Sequence, residues 1–147
     1  MFLPLHDRNT IRHIKFPYVT YGLIAVNLLV YAVQWVMSDT VFNATAAALG
    51  VIPLELFGTV APRGGIPEPG TLITYKFLHG GWLHVLSNML LLWIFGDNIE
   101  DALGHVKFLI FYLLCGIGAA YAHALFNAGS FGPLVGASGS VSGLLGA

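Results

Sequence analysis

Ser138 is the residue with the clearest potential for chemistry. It stands in the Gly-Ala-Ser-Gly run of residues 136–139, at the start of an apolar segment. A serine in the first turn of a helix lies beside free backbone N–H groups and the positive end of the helix dipole, which favour a developing anion. The same stretch places Gly139 and Gly143 in a G-x-x-x-G spacing, which is typical of close packing between membrane helices. By itself it is compatible with a nucleophile and with a packing motif.

Two histidines and an asparagine form a second polar group, in the pattern His79-x4-His84-x3-Asn88. Because His84 and Asn88 are four residues apart, they share one face of a helix. Each side chain could be satisfied by a neighbouring backbone group or by water near a helix end. Polar side chains inside membrane segments are costly, however, and they tend to mark function.

Together these side chains suit acyl transfer. Ser138 would attack a carbonyl carbon, and its own N–H would help to bind the oxyanion, with donors from His84 and Asn88 completing the site. The pattern is not the G-x-S-x-G turn of soluble hydrolases, because residue 140 is serine. No H-E-x-x-H pattern occurs, and a lone cysteine, Cys115, cannot build a disulfide framework or a cysteine-based metal cluster. We therefore expect no metal and no cofactor.

The composition indicates an all-α membrane protein. Of the 147 residues, 56% are hydrophobic and only 9% are charged, whereas soluble domains carry about 25% charged residues. This number of charges is too small to cover a water-facing surface of this size. Most of the surface must therefore face lipid. The net charge of −1 and the lack of a Lys/Arg run disfavour nucleic acid as a partner.

The apolar segments predict four membrane helices, the last of them incomplete, after a cytoplasmic N-terminal segment of residues 1–18. The predicted spans are residues 19–37, 81–98, 106–125 and 136–147. Half of the six Lys/Arg residues precede the first span, so the positive-inside rule places the N-terminus in the cytoplasm. Counting crossings then brings the starts of the second and fourth spans to the same outer side, with the polar groups at similar depth.

The connections between the spans also have predicted forms. Residues 38–80 should be a long external connection, with one or two short interfacial helices between residues 42 and 57 and an irregular loop at residues 62–70. We expect the second span to end in an acidic turn at residues 97–101, closed by Gly104.

These motifs resemble those of the rhomboid family of intramembrane serine proteases. The resemblance rests on three motifs in order: the His79 to Asn88 pattern, the run Phe-Gly-Asp-Asn-Ile-Glu-Asp-x2-Gly of residues 95–104, and Gly-Ala-Ser-Gly at residues 136–139. It extends from about residue 17 to the last residue. It implies a rhomboid-like helical bundle with six spans, of which residues 19–147 would contain about three and a half. The last span counts as a half because, at about 1.5 Å per helical residue, it is too short to cross a bilayer.

The resemblance also implies a function and site roles. The protein would be an intramembrane serine endopeptidase that cleaves transmembrane segments of membrane proteins near the outer face. Its partners would be these substrates and the lipid bilayer, and we place it in a bacterial cell membrane as a multi-pass protein. The implied roles are nucleophile for Ser138, oxyanion stabilisation for His84 and Asn88, an accessory role for His79, and close backbone approach for Gly136 and Gly139.

The general base in the family is a histidine on the sixth span. Because the last predicted span covers only about half of a bilayer, we expect this chain to be the N-terminal part of a longer protein and inactive alone. His123, near the outer end of the third span, is an internal alternative that family geometry disfavours, and His105 lies on the cytoplasmic side. The competing interpretations are a non-catalytic rhomboid-like protein that binds membrane segments, and a fragment of a transporter or helical scaffold in which the glycines serve packing alone.

Overall fold

A computed structural model describes residues 12–58, 60–62 and 65–147. The described residues are mainly helical and contain one isolated antiparallel bridge but no β-strand. The predicted all-α membrane fold is confirmed, and most of the predicted N-terminal segment 1–18 lies outside the described residues. In chain order the elements are α1 (Tyr18–Trp35), α2 (Asp39–Leu49), α3 (Pro53–Leu56), α4 (Glu68–Thr74), a 3-10 helix (Tyr75–Phe77), α5 (Trp82–Leu103), α6 (His105–Phe126) and α7 (Ser138–Leu145).

Helix α1 begins at a carboxylate supplied by another helix. Glu100, fully buried on α5, accepts the backbone N–H groups of Val19 at 3.0 Å and Thr20 at 2.7 Å. It also accepts the Thr20 hydroxyl at 2.7 Å and lies 2.5 Å from Nδ1 of His105. The first N–H groups of a helix lack intrahelical acceptors, and a negative charge there is also attracted to the positive end of the helix dipole. Glu100 therefore joins the start of α1 to the junction of α5 and α6.

The predicted acidic turn at residues 97–101 is wrong. Helix α5 continues through these residues, and Gly104, with a φ of 78°, separates it from α6. The carboxylate of Asp101 accepts backbone N–H groups of residues 12–14 at 2.7–3.0 Å. Acidic residues in this segment thus bind the chain before α1 and its first turn, and such distant partners leave no local signal in the sequence.

The connection between α1 and α5 is more regular than predicted. One or two short helices were expected between residues 42 and 57, and the connection contains two, α2 and α3, of which α2 begins earlier, at Asp39. It also contains α4, which begins inside the predicted loop at residues 62–70 and has Pro69 in its first turn, where proline is well tolerated. The segment formed by α4 and the 3-10 helix meets α5 at an angle of 89°.

Two described helices, α1 and α6, are long and apolar enough to cross a bilayer by themselves. Helix α5 meets the same criterion only together with the bent segment before it. Helix α7, with eight residues, lies within the predicted fourth span at residues 136–147. The helices corresponding to the first and third predicted spans differ from them by at most two residues at either end.

Helices α1 and α5 are antiparallel neighbours. Thr20, near the start of α1, contacts the C-terminal part of α5. A Cβ added to Gly96 would lie 2.9 Å from Cγ2 of Thr20. Near the other end of α1, the ring of Tyr31 packs edge-on against Trp82 at the start of α5, with centroids 4.9 Å apart. The start of α5 is therefore at the end of the bundle opposite Glu100.

Helices α6 and α7 pack closely through small residues. A Cβ on Gly139 would lie 2.5 Å from the Cβ of Ala119, and a Cβ on Gly143 would lie 2.4 Å from the Sγ of Cys115. The G-x-x-x-G pair of α7 thus meets a pair of small residues with the same spacing on α6, in antiparallel order. This arrangement brings the start of α7 to the same end of the bundle as the start of α5.

Candidate active site

Ser138 is the first residue of α7, and its side chain is exposed. The two backbone N–H groups before it already have acceptors. The N–H of Gly136 donates to the carbonyl of Tyr75 at 2.9 Å, and the N–H of Ala137 donates to Nε2 of His79 at 3.5 Å. The next N–H groups, beginning with that of Ser138, belong to the first turn and have no acceptor within the helix. They are placed to bind an anion.

His79 lies in the bend before α5 rather than on the helix itself, and only 1% of its surface is exposed. Because Nε2 accepts a hydrogen bond from Ala137, we assign the proton of the neutral ring to Nδ1. Its ring packs edge-on against the ring of His84, with centroids 5.1 Å apart and planes at 69°. His79 thus connects the first turn of α5 with the peptide that precedes Ser138.

His84 lies on α5 against the loop that leads into α7. A Cβ on Gly136 would lie 2.5 Å from Cε1 and 2.6 Å from Nε2 of this imidazole. Gly136 also has a φ of 119°, a conformation that side chains other than glycine rarely adopt. Glycine is therefore required at 136 for two reasons. Its small size lets the His84 ring contact the backbone of residue 136, two positions before Ser138 in the chain.

Asn88 follows His84 by one helical turn, on the same face of α5, and its side chain is 4% exposed. Among the described residues, its Nδ2 group has no hydrogen-bond acceptor. A buried donor without an acceptor is costly, by about 1–3 kcal/mol, and such groups in folded proteins call for an explanation. An oxygen atom of a bound substrate would supply the missing acceptor.

A cavity of about 240 Å³ opens beside Ser138. It lies between the end of α6, the start of α7 and the 3-10 helix, and its lining comprises Tyr75, Ala119, His123, Leu134, Ser138, Gly139 and Ser142. The hydroxyl of Tyr75 donates to the carbonyl of Gly116 at 2.6 Å, which holds this wall in place. Ser138 therefore borders a space that can admit part of a substrate.

The two other histidines considered as bases lie in different places. His123 lines the same cavity as Ser138, so it belongs to the surroundings of the site rather than only to the membrane interface. His105 lies at the opposite end of the bundle, beside Glu100. Tyr75 was not expected near the site, since its segment has no pattern that would place it there.

The loop before Ser138 is also attached to the connection between α1 and α5. Val51 and Leu134 exchange two backbone hydrogen bonds, of 3.2 Å and 2.8 Å. Within that connection, the carbonyl of Leu49 accepts the hydroxyl of Thr74 at 2.6 Å. The Val51–Leu134 pair therefore ties the entry into α7 to the connection, and the Leu49–Thr74 bond joins α2 to α4 inside it. Within the described part of the chain, no three His, Cys, Asp or Glu side chains are close enough to bind a metal ion.

Comparison with known proteins identifies similar sequences. Residues 67–147, more than half of the chain, match the family model of the Rhomboid domain. RHOMBOID-like protein 1 of Arabidopsis thaliana is 30% identical over 153 aligned positions, which cover 90% of this chain and 39% of that protein. Rhomboid protease GluP of Bacillus subtilis is 32% identical over 131 positions, covering 89% of this chain and 24% of that protein. Rhomboid protease GlpG of Yersinia pestis is 32% identical over 74 positions, covering 50% and 26%. The chain thus spans about two fifths or less of the length of these relatives.

Proposed function

Because the chain belongs to the rhomboid family, we propose that it provides the nucleophile and the oxyanion site of an intramembrane serine endopeptidase. Ser138 is the nucleophile, and His84 and Asn88 are the side-chain donors to the oxyanion. The observation that carries this proposal is the buried Nδ2 of Asn88, a donor with no acceptor in the described residues, on the helix face whose His84 contacts the loop before Ser138.

The proposed reaction proceeds through an acyl-enzyme. Oγ of Ser138 attacks the carbonyl carbon of the scissile peptide bond, and the electrons of the C=O bond move onto the oxygen. That oxyanion is stabilised by the N–H of Ser138 and by the donors on α5, each worth about 10²–10³ in rate. The base that removes the Oγ proton gives it to the leaving amine, and water then hydrolyses the ester in a second step.

The family resemblance assigns that base to a histidine on a helix that follows α7 in the fold. Among the described residues, His123 is the alternative, since it borders the same cavity as Ser138. A base must come within about 2.6–3.2 Å of the hydroxyl, directly or through one water.

We propose that the substrates are transmembrane segments of other proteins. The site lies at the bundle end where α5 and α7 begin, so such a segment would be cleaved near that face of the membrane. With a cytoplasmic N-terminus, as the basic residues before α1 favour, this is the outer face. In this proposal residues 19–147 belong to a rhomboid-like membrane domain that follows a cytoplasmic segment, residues 1–18.

The test is cleavage of a single-span reporter by the intact membrane protein in proteoliposomes. We expect wild type to cut the reporter and the Ser138→Ala variant to leave it whole. Ser87→Ala is the matched control, because Ser87 is an exposed serine on α5 whose hydroxyl donates to the backbone of its own helix. Equal cleavage by the Ser138→Ala variant would contradict the proposal. Capture of the reporter without cleavage would favour the non-catalytic binding protein.

A further inference from the structure

We propose that Gln34, on α1, is a positioning residue that holds the bend carrying His79 and, through it, the peptide before Ser138. This inference rests on the proposed hydrolytic function and extends the site to a helix that carries none of the motif residues. Gln34 is 6% exposed and lies in the last turn of α1.

The side chain of Gln34 makes two hydrogen bonds to the backbone of one residue. Its Oε1 accepts the N–H of His79 at 3.2 Å, and its Nε2 donates to the carbonyl of His79 at 3.5 Å. Two bonds from one planar amide constrain both the position and the rotation of the bound backbone. The amide of Gln34 thus pairs with both the N–H and the carbonyl of His79, as the backbone of a neighbouring β-strand does.

The backbone of His79 lies between the 3-10 helix and α5, where no helical hydrogen-bond pattern supports it. The following residues, Gly80 and Gly81, have little packing around them, since a Cβ on either would meet no atom within 4 Å. They and Gln34 line a second cavity, of about 270 Å³. The two hydrogen bonds from Gln34 therefore hold the backbone of the bend on the side where the glycines provide no packing.

The imidazole of His79 transmits that constraint to the site. Its Nε2 accepts the N–H of Ala137, the residue before Ser138, and its ring supports the ring of His84. If the bend moves, both contacts change, and the first turn of α7 loses one of its fixed points. The expected defect is in the reaction step, because Gln34 does not line the cavity beside Ser138.

The experiment measures inactivation by a fluorophosphonate probe in the intact membrane protein, with kinact and KI determined separately. Gln34→Met has a side chain of similar length that cannot form either bond. We expect its kinact to fall about tenfold, as for the loss of one or two net hydrogen bonds, with KI within about twofold. Gln34→Glu keeps the acceptor for the N–H of His79 and should recover part of the rate.

Asn27→Leu is the matched control. Asn27 is a buried amide on the same helix, and its Nδ2 donates to the carbonyl of Leu23. We expect this variant to keep the wild-type kinact. An equal fall of kinact in Asn27→Leu, or an unchanged kinact in Gln34→Met, would overturn the proposal. If Gln34→Met does not fold, kinact of Gln34→Glu decides the question. A wild-type kinact in Gln34→Glu would also overturn the positioning role of Gln34.

A spectroscopic measurement separates this inference from the proposed function. In protein labelled with ¹⁵N-histidine, the ring resonances of His79 should shift in Gln34→Met and stay in place in Asn27→Leu. Unchanged resonances in both variants would overturn the positioning role whether or not the probe reacts. Absence of any probe adduct in wild type would contradict the proposed function alone.

Discussion

At the residue scale, the main feature of the site is that some hydrogen-bond donors already have acceptors and others do not. The N–H groups of Gly136 and Ala137 are occupied by the carbonyl of Tyr75 and the imidazole of His79. The N–H of Ser138 has no acceptor within the helix, and the amide of Asn88 has none among the described residues. Buried donors without acceptors cost stability, and in the proposed reaction the developing oxyanion would supply the acceptor.

The first prediction follows from the open donor on Asn88. Replacing Asn88 by leucine, which has a similar volume, should lower kcat for reporter cleavage by about 10²–10³ and change KM little. Because the change also removes a buried donor without an acceptor, the thermal unfolding temperature should stay the same or rise. Loss of activity together with a lower unfolding temperature would indicate a structural role instead.

The positions of the motif residues on their own helices could be predicted from the sequence, because these positions depend on local spacing. His84 and Asn88 share a face by helical spacing, and the glycine-rich run sets Ser138 at the start of a helix. Gln34 and Tyr75 could not be predicted, since their contacts join residues 45 and 41 positions apart. Contacts of this kind depend on how the helices pack, which the spacing of polar residues does not reveal.

At the element scale, the position of α7 depends on its small-residue contact with α6. Gly139 faces Ala119 and Gly143 faces Cys115, so the two helices approach closely at the first two turns of α7. The packing and the catalytic interpretations of the glycine-rich run are therefore compatible. One residue of the run would do the chemistry, and the residues after it hold the helix in place.

A compensating pair of substitutions tests this contact. Gly139→Ala introduces a Cβ 2.5 Å from that of Ala119, and we expect it to destabilise the fold by about 1–3 kcal/mol through overpacking. Adding Ala119→Gly removes the clash and should recover part of this loss, although a glycine within α6 costs about 0.5–1 kcal/mol. Free energies of unfolding for the two single variants and the double variant give the coupling. Additive losses would contradict close packing at this position.

Two elements differ from the sequence prediction, the end of α5 at residues 97–101 and helix α4, and they differ for separate reasons. Residues 97–101 look like a solvated turn, but Glu100 and Asp101 bind the start of α1 and the residues before it. Helix α4 forms in a stretch rich in proline and glycine, where its prolines lie at the helix start and cause no break. At residues 97–101 the local pattern was therefore overruled by partners far away in the chain, whereas in α4 the position of the prolines is itself compatible with a helix.

At the scale of the whole molecule, two antiparallel contacts determine where the site lies. Helix α1 pairs with α5, and α6 pairs with α7, so the starts of α5 and α7 meet at one end of the bundle. The carboxylate of Glu100 holds the other end together. The sequence could predict this alternation, because successive membrane crossings run in opposite directions whatever the length of the connection between them. It could not predict the attachment of the entry into α7 to Val51, which lies in the connection after α1.

The nucleophilic role of Ser138 is tested most directly by the position of the covalent adduct in the intact membrane protein. Helix α7 contains Ser138, Ser140 and Ser142, of which Ser140 is fully buried and Ser142 is exposed one turn beyond Ser138. After reaction with a fluorophosphonate, peptide mapping by mass spectrometry should find the adduct on Ser138 alone, and Ser138→Ala should abolish it. An adduct on Ser142, or none on α7 under conditions where the protein is folded, would contradict the assignment of the nucleophile.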